Sequence, residues 1–222
     1  MAKDGTSVLH RLDDFKAPTG KGVLCRLSYA NGLFKARSQE EGKPPRFGAT
    51  LIFSNAQKSE LGKMIQKLIE ETPGWGAKGL ERFKAGLIKN PILAGDGKEA
   101  RDSSTGEIKP GLGAEFFFIR PGASADRPPA VWWKDPNKQE TEATVYSGCY
   151  GKAILNVYSY KHPKSGDGVT FGISGFQKIQ EGDRLGGGGA IDKEKWSETI
   201  ADEGEAPAET AGGKGAGGLF GE

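Results

Sequence analysis

Cysteine, histidine and long apolar runs are all scarce in this 222-residue chain, and each shortage removes a class of function. The two cysteines, Cys25 and Cys149, lie in apolar strand-like runs where a reduced thiol packs as a small hydrophobe. They supply neither a disulfide framework nor a metal-ligand cluster, and they fit a reducing cytoplasm. No stretch reaches the roughly 18 to 20 apolar residues that span a bilayer, and the N-terminal MAKDGTSVLHRLDDFKAP lacks the apolar centre of a signal peptide. A soluble cytoplasmic protein without membrane contact is expected.

The two histidines, His10 in a polar arm and His162 in a loop, are poorly placed to act as buried bases. No HExxH, CxxC, GxSxG or Walker A sequence occurs, and the tetraglycine at 186–189 is not followed by GK[ST]. Asp96, Glu99, Asp102 and Glu107 share the turn-rich segment 94–113 but lack the spacing and closing glutamate of a calcium loop, so they read as a solvated loop. With no nucleophile, base or metal constellation, the chain reads as a binding protein without cofactor or metal, not as an enzyme.

What is abundant is glycine, 35 residues, with 12 prolines, the composition of turn-rich β structure and flexible tails. The net charge of +2 hides an uneven distribution. Residues 192–222 hold eight acidic groups against three lysines, a balance of −5, which leaves 28 basic against 21 acidic residues in 1–191, or +7. Three segments follow: a flexible N-terminal arm over 1–20, a folded body over 21–185 and a Gly-rich acidic tail over 186–222.

Within the body, alternation predicts strands over 23–29 (VLCRLSY), 46–54 (RFGATLIFS), 115–120 (EFFFIR) and 169–180 (VTFGISGFQKIQ). The last contains Gly172 and Gly175, which weaken a strand unless it bends or something approaches closely. Ser54 with Gln57 resembles a capping box ahead of a helix carrying Leu61, Ile65, Leu68 and Ile69, stopped by Pro73. Leu80, Phe83, Leu87 and Ile88 suggest a second helix with Gly86 inside it.

The longest alternating run is 145–160, VYSGCYGKAILNVYSY. Read as one strand, it puts Cys149, Ala153, Leu155 and Val157 on a core face, and Tyr146, Tyr150, Lys152, Asn156, Tyr158 and Tyr160 on the other. Rings interrupted by an amine suit stacked bases with phosphates alongside, although tyrosine is also an ordinary strand residue that packs half-buried. Trp132 and Trp133 are adjacent on a Pro-flanked segment, so they point to opposite sides and one is a candidate stacking platform. Five or more strands with one or two helices and no catalytic set imply a mainly β fold, a small β-barrel of OB type.

These residues also carry a resemblance. RLSYANGLFKAR, RFGATLIF, KNPILAGDG, GAEFFFIRPG with RPP, VYSGCYGKAILNVYSY and GVTFGISGFQKIQEGDRLGGG fall in the order seen in a family of bacteriophage-encoded single-stranded DNA-binding proteins with an OB-fold. The resemblance spans about 23–189. It implies a non-enzymatic protein that binds and protects single-stranded DNA during phage replication, recombination and repair, in the host-cell cytoplasm. It also implies that an acidic tail contacts replication proteins such as polymerase or helicase. Here Asp202, Glu203, Glu205 and Glu209 with Leu219 and Phe220 match that pattern, except that Gly221 and Glu222 follow the aromatic residue.

The DNA-binding set expected from the sequence is Phe34, Lys35, Arg37, Arg46, Arg120, Arg127, Trp132, Trp133, Tyr146, Tyr150, Lys152, Tyr158, Tyr160 and Lys161. Cations would neutralise phosphates and rings would stack bases, so binding would tolerate any sequence. Self-association stays open. Competing readings are a β-barrel interaction scaffold, a strand-annealing accessory protein and an enzyme of nucleic-acid metabolism with an OB-like domain.

Overall fold

The computed structural model describes residues 9–12 (backbone only), 25–38, 42–162 and 166–186. The chain divides into two units, Met1–Gly187 and Gly188–Glu222, and every described residue belongs to the first. Asp202, Glu203, Glu205, Glu209, Leu219 and Phe220 therefore lie outside the described residues, as does all of the N-terminal arm but 9–12.

Eleven strands are described: β1 Leu9–Leu12, β2 Cys25–Ser28, β3 Arg46–Gly48, β4 Thr50–Ser54, β5 Ile88–Lys89, β6 Leu93–Ala94, β7 Phe116–Ile119, β8 Gly122–Ser124, β9 Ala130–Trp132, β10 Tyr150–Tyr160 and β11 Asp167–Gln180. Two α-helices, α1 Lys58–Glu71 and α2 Gly79–Lys84, lie between β4 and β5. The mainly β class with one or two helices is as the sequence implies.

Two of the short pairs are halves of longer bent strands. Arg46 faces Ser124 and Ser54 faces Phe116 in one unbroken antiparallel register, so β3–β4 and β7–β8 form a single ladder that bends at Ala49 and Pro121. From there β4 pairs with β2, β2 with β10, and β10 with β11. β11 then returns to β8 through one parallel pairing, Gly172 with Gly122. Five strand units thus come round on themselves with a thin seam, the partly open five-stranded barrel of the OB type.

Burial follows the pleat. Along β10 every odd-numbered position is buried and every even-numbered one half-buried, so the tyrosine face points outward. The strand starts at Tyr150, not Val145, because Gly148 takes φ +116° and the Gly148 N–H bonds to Leu27 O, holding 145–149 out of the ladder. Inside, Leu27, Leu51, Phe53, Phe117, Ile119, Leu155, Val157 and Phe171 pack together, with Phe53 and Phe117 stacked at 5.2 Å. The Leu61, Ile65, Leu68 and Ile69 stripe of α1 joins the same core. β4 is buried on both sides, since Ile52 also enters a second cluster with Ala100, Phe118 and Leu185.

The first helix begins as expected: Gln57 Oε1 accepts from the Ser54 N–H at 3.2 Å, and one 3-10 turn, Asn55–Gln57, precedes α1. Thr72 is extended before Pro73, which stops it. The second helix differs from its sequence pattern. α2 ends at Lys84, Gly86 adopts φ +74°, Leu87 is 64% exposed and Ile88 is buried in β5. The apolar spacing runs through a glycine turn that rotates Leu87 away from the core.

Candidate nucleic-acid interface

A cleft of about 910 Å³ opens on the barrel where β3, β8, β10 and β11 meet the turn after β2. Its cations come from four separate segments: Lys35 and Arg37 after the 3-10 turn Ala30–Leu33, Arg46 on β3, Lys109 in the 94–113 loop and Arg120 between β7 and β8. Among the described residues no carboxylate lines the cleft. Among the described residues none of these five cations is held in an ion pair. Arg120 is aimed by its bond to Glu99 O at 2.9 Å and by its approach to the Phe118 ring at 5.2 Å. Five cations gathered in one cleft with low-dielectric walls concentrate a positive field on any anion that enters.

Rings are supplied by Tyr158 and Tyr160 on β10, Phe47 on β3 and Tyr29 at the mouth. On β11, Gly168 makes room for Tyr160, whereas Gly172 lies at ordinary contact distance from Tyr158. Tyr160 lies over Gly168, where any Cβ would meet its phenol, and Tyr158 Cε1 comes within 3.6 Å of the place a Gly172 Cβ would take. One side of each ring is therefore supported by backbone while the rest borders the cleft. Burial, and then Tyr158 alongside, pushes the Tyr160 phenol pKa up, so it stays neutral beside a phosphate.

Along with Phe47, Tyr29 is one of the residues that sequence reasoning missed. Alternation makes it the last member of the inward row of the first strand, but β2 stops at Ser28 and Tyr29 adopts the left-handed φ 55°, ψ 44°, at 55% exposure. A non-glycine residue in that region is strained, and such strain gathers where a ligand is gripped. The turn it opens is pinned to the barrel: Gly32 packs on the Gly48 carbonyl with no space for a side chain, and Ala30 N–H bonds to Ser147 Oγ at 2.9 Å. Lys109 was also missed, because its loop is remote in sequence. Neither Tyr29 nor Lys109 left a signal beyond local chemistry.

Of the expected set, Lys35, Arg37, Arg46, Arg120, Tyr158 and Tyr160 come together in this cleft. The others lie elsewhere. Phe34 packs against the core. Arg127 is exposed near Asp126 at 3.8 Å, and Lys152 is half-buried on β10 opposite Gln177. Lys161 Nζ bonds to Pro73 O at 3.3 Å, beside the end of α1. Tyr150 carries the Arg26 guanidinium 5.4 Å from its ring centre. Trp132 and Trp133 are both half-buried; Trp132 lies against Gly175, and Trp133 lies under Lys178 and Lys134.

Tyr146 belongs to a clamp at the far end of β11. The fully buried Lys178 ammonium donates to Glu181 Oε1 at 2.6 Å and to Thr144 O at 2.7 Å, and sits over the Trp133 and Tyr146 rings at 4.3 and 4.9 Å. Tyr146 in turn donates its hydroxyl to Glu181. Those two bonds, from Lys178 first and Tyr146 second, hold the Glu181 carboxyl below the usual carboxylate range. Arg184 stacks 4.2 Å from the Tyr146 ring centre.

A barrel of this topology with a basic aromatic groove defines a class, the OB-type proteins that hold extended strands. The chain belongs to a phage family within it: the family model described as "Enterobacter phage Enc34, ssDNA-binding protein" matches residues 16–206. It is similar to protein p50 of Acyrthosiphon pisum secondary endosymbiont phage 1, with 26% identity over 136 residues, 59% of this chain and 67% of that protein. Among solved structures it is similar to the single-stranded DNA-binding protein from bacteriophage Enc34 in complex with ssDNA (TM-score 0.54, 17% identity, 82% of this chain and 91% of that one). A further structure of the bacteriophage Enc34 protein aligns with TM-score 0.51 and 16% identity over 87% of this chain and 92% of that one. At such identity these structures establish the shared fold, and the family resemblance read from the sequence holds.

Proposed function

We propose that this protein binds and protects single-stranded DNA, with little regard to sequence, by laying it in the cleft between Tyr29, Arg46, Arg120 and Tyr160. The observation that carries this reading is the lining of that cleft: five cations, the rings of Tyr29, Phe47, Tyr158 and Tyr160 and, among the described residues, no carboxylate. Cations neutralise phosphates irrespective of base, and every base offers a π face to a tyrosine, so affinity arises without a sequence code. The family it belongs to and the relative solved with ssDNA support the same assignment.

The protein acts without catalysis, in the host-cell cytoplasm, coating strands exposed during phage replication, recombination and repair. The acidic residues Asp202, Glu203, Glu205 and Glu209, with Leu219 and Phe220, serve as a contact for phage or host replication proteins.

Fluorescence anisotropy of a labelled oligo(dT), competed by equal-length duplex at matched salt, tests the reading. Stacked bases in a duplex hide their faces, so duplex should compete far more weakly than single strand. The logarithm of affinity should fall against log salt with a slope of about 3 to 4 if all five cations meet phosphates. Duplex that competes as well as single strand would overturn the stacking account.

A further inference from the structure

Beyond Tyr29 lies a second cleft of about 440 Å³, walled by Ser28, Glu142, Tyr146, Ser147, Arg184 and Leu185. Tyr29, Asn31 and Lys109 line both clefts, so the two meet along one shared wall. We infer that the second cleft is a further nucleotide subsite, entered only by strands long enough to pass over Tyr29 from the first. The inference rests on the single-strand reading above and extends it to the length of strand held.

The chemistry of the second cleft suits a nucleotide with its phosphate. Arg184 is exposed, and its guanidinium lies over the Tyr146 ring at 4.2 Å, which fixes its plane and leaves its edge donors for an anion. Tyr146 is itself anchored through Glu181 and through Gly182 O at 2.9 Å, so the stack has a rigid base. Ser147 Oγ accepts the Ala30 N–H at 2.9 Å, and its own proton remains to be donated. Lys109 stands between the clefts and serves a phosphate at the junction. Tyr29, in its left-handed conformation and 55% exposed, presents a ring at that junction where successive bases must separate or stack. Among the described residues Glu142 is the one carboxylate of this second lining, and it opposes an incoming phosphate.

The test compares a short oligo(dT), of about four nucleotides, with one of about ten, on the full-length protein, since OB-folds hold roughly 4 to 16 nucleotides. The variants are Arg184→Gln and Glu142→Gln, both at exposed positions. For the long strand, Arg184→Gln should weaken binding about threefold to tenfold and lower the salt slope by about 0.7, the loss of one phosphate contact. Glu142→Gln should tighten the long strand by about twofold to fivefold through the removal of a repelled charge. Both variants should leave the short strand at wild-type affinity. Long-strand binding unchanged in both variants, or equal changes at both lengths, would overturn the second subsite while leaving the first intact. A wild-type protein that binds neither length would overturn the single-strand reading itself.

Discussion

Tyr29 holds an unfavourable backbone conformation that costs about 1 to 3 kcal/mol in an L residue, and it spends that strain exposing a ring at the cleft mouth. Stability and binding should therefore separate at this position. Tyr29→Gly relieves the strain but loosens the unfolded chain, so the thermal midpoint should hold or rise slightly, while oligo(dT) affinity should fall by about 1 to 3 kcal/mol with the lost stack. Calorimetry and anisotropy on one preparation check both. Nothing in the sequence marks this residue, because VLCRLSY alternates without a break and the chain leaves the strand for a tertiary reason, the docking of Gly32 on Gly48. Lys35 and Arg37 were legible as cations just beyond the first strand, whereas Lys109 reaches the cleft from a loop that local pattern cannot place.

At the scale of elements, what the sequence shows best is periodicity. The outward tyrosine face of β10 and the apolar stripe of α1 stand as the spacing predicts, because each element buries one continuous side. Spacing misled where glycine intervened: Gly86 ends the second helix early and Gly148 delays β10, both with positive φ. Tyr146 consequently joins the clamp at the end of β11 instead of the strand face. That clamp gives a pH dependence. The Glu181 carboxyl titrates lower in the folded protein than in the unfolded chain, so its contribution is fully present above the ordinary carboxyl value near about 4.3 and is lost as pH falls through the lower folded value. Thermal midpoints measured from pH 6 down to pH 3 should fall less steeply for Glu181→Gln than for the natural protein, and that variant should be the less stable at pH 6. Its Lys178 ammonium would remain buried without a carboxylate.

Across the whole molecule, charge is sorted: a basic barrel body and an acidic C-terminal segment of net −5. The segregation was readable from composition. The gathering of five cations from four distant segments into one cleft was not, since it depends on how the barrel closes through Gly122 and Gly172. On charge alone, an acidic segment of net −5 on the same chain would compete with DNA for a positive surface, in proportion to how weakly salt screens it. Removal of residues 192–222 should tighten oligo(dT) binding, most visibly at low salt, and anisotropy at two salt concentrations measures it.

The most direct measurement compares two tyrosines on one face of one strand. Tyr158 borders the cleft, whereas Tyr150, eight residues earlier on the same outward row of β10, lies at the Arg26 end away from it. In oligo(dT) titrations at fixed salt, Tyr158→Ala should lose about 1 to 3 kcal/mol of binding, roughly fivefold to more than a hundredfold, while Tyr150→Ala should stay within about threefold of the natural protein. Equal losses at both positions, or a larger loss at Tyr150, would contradict the placement of the strand.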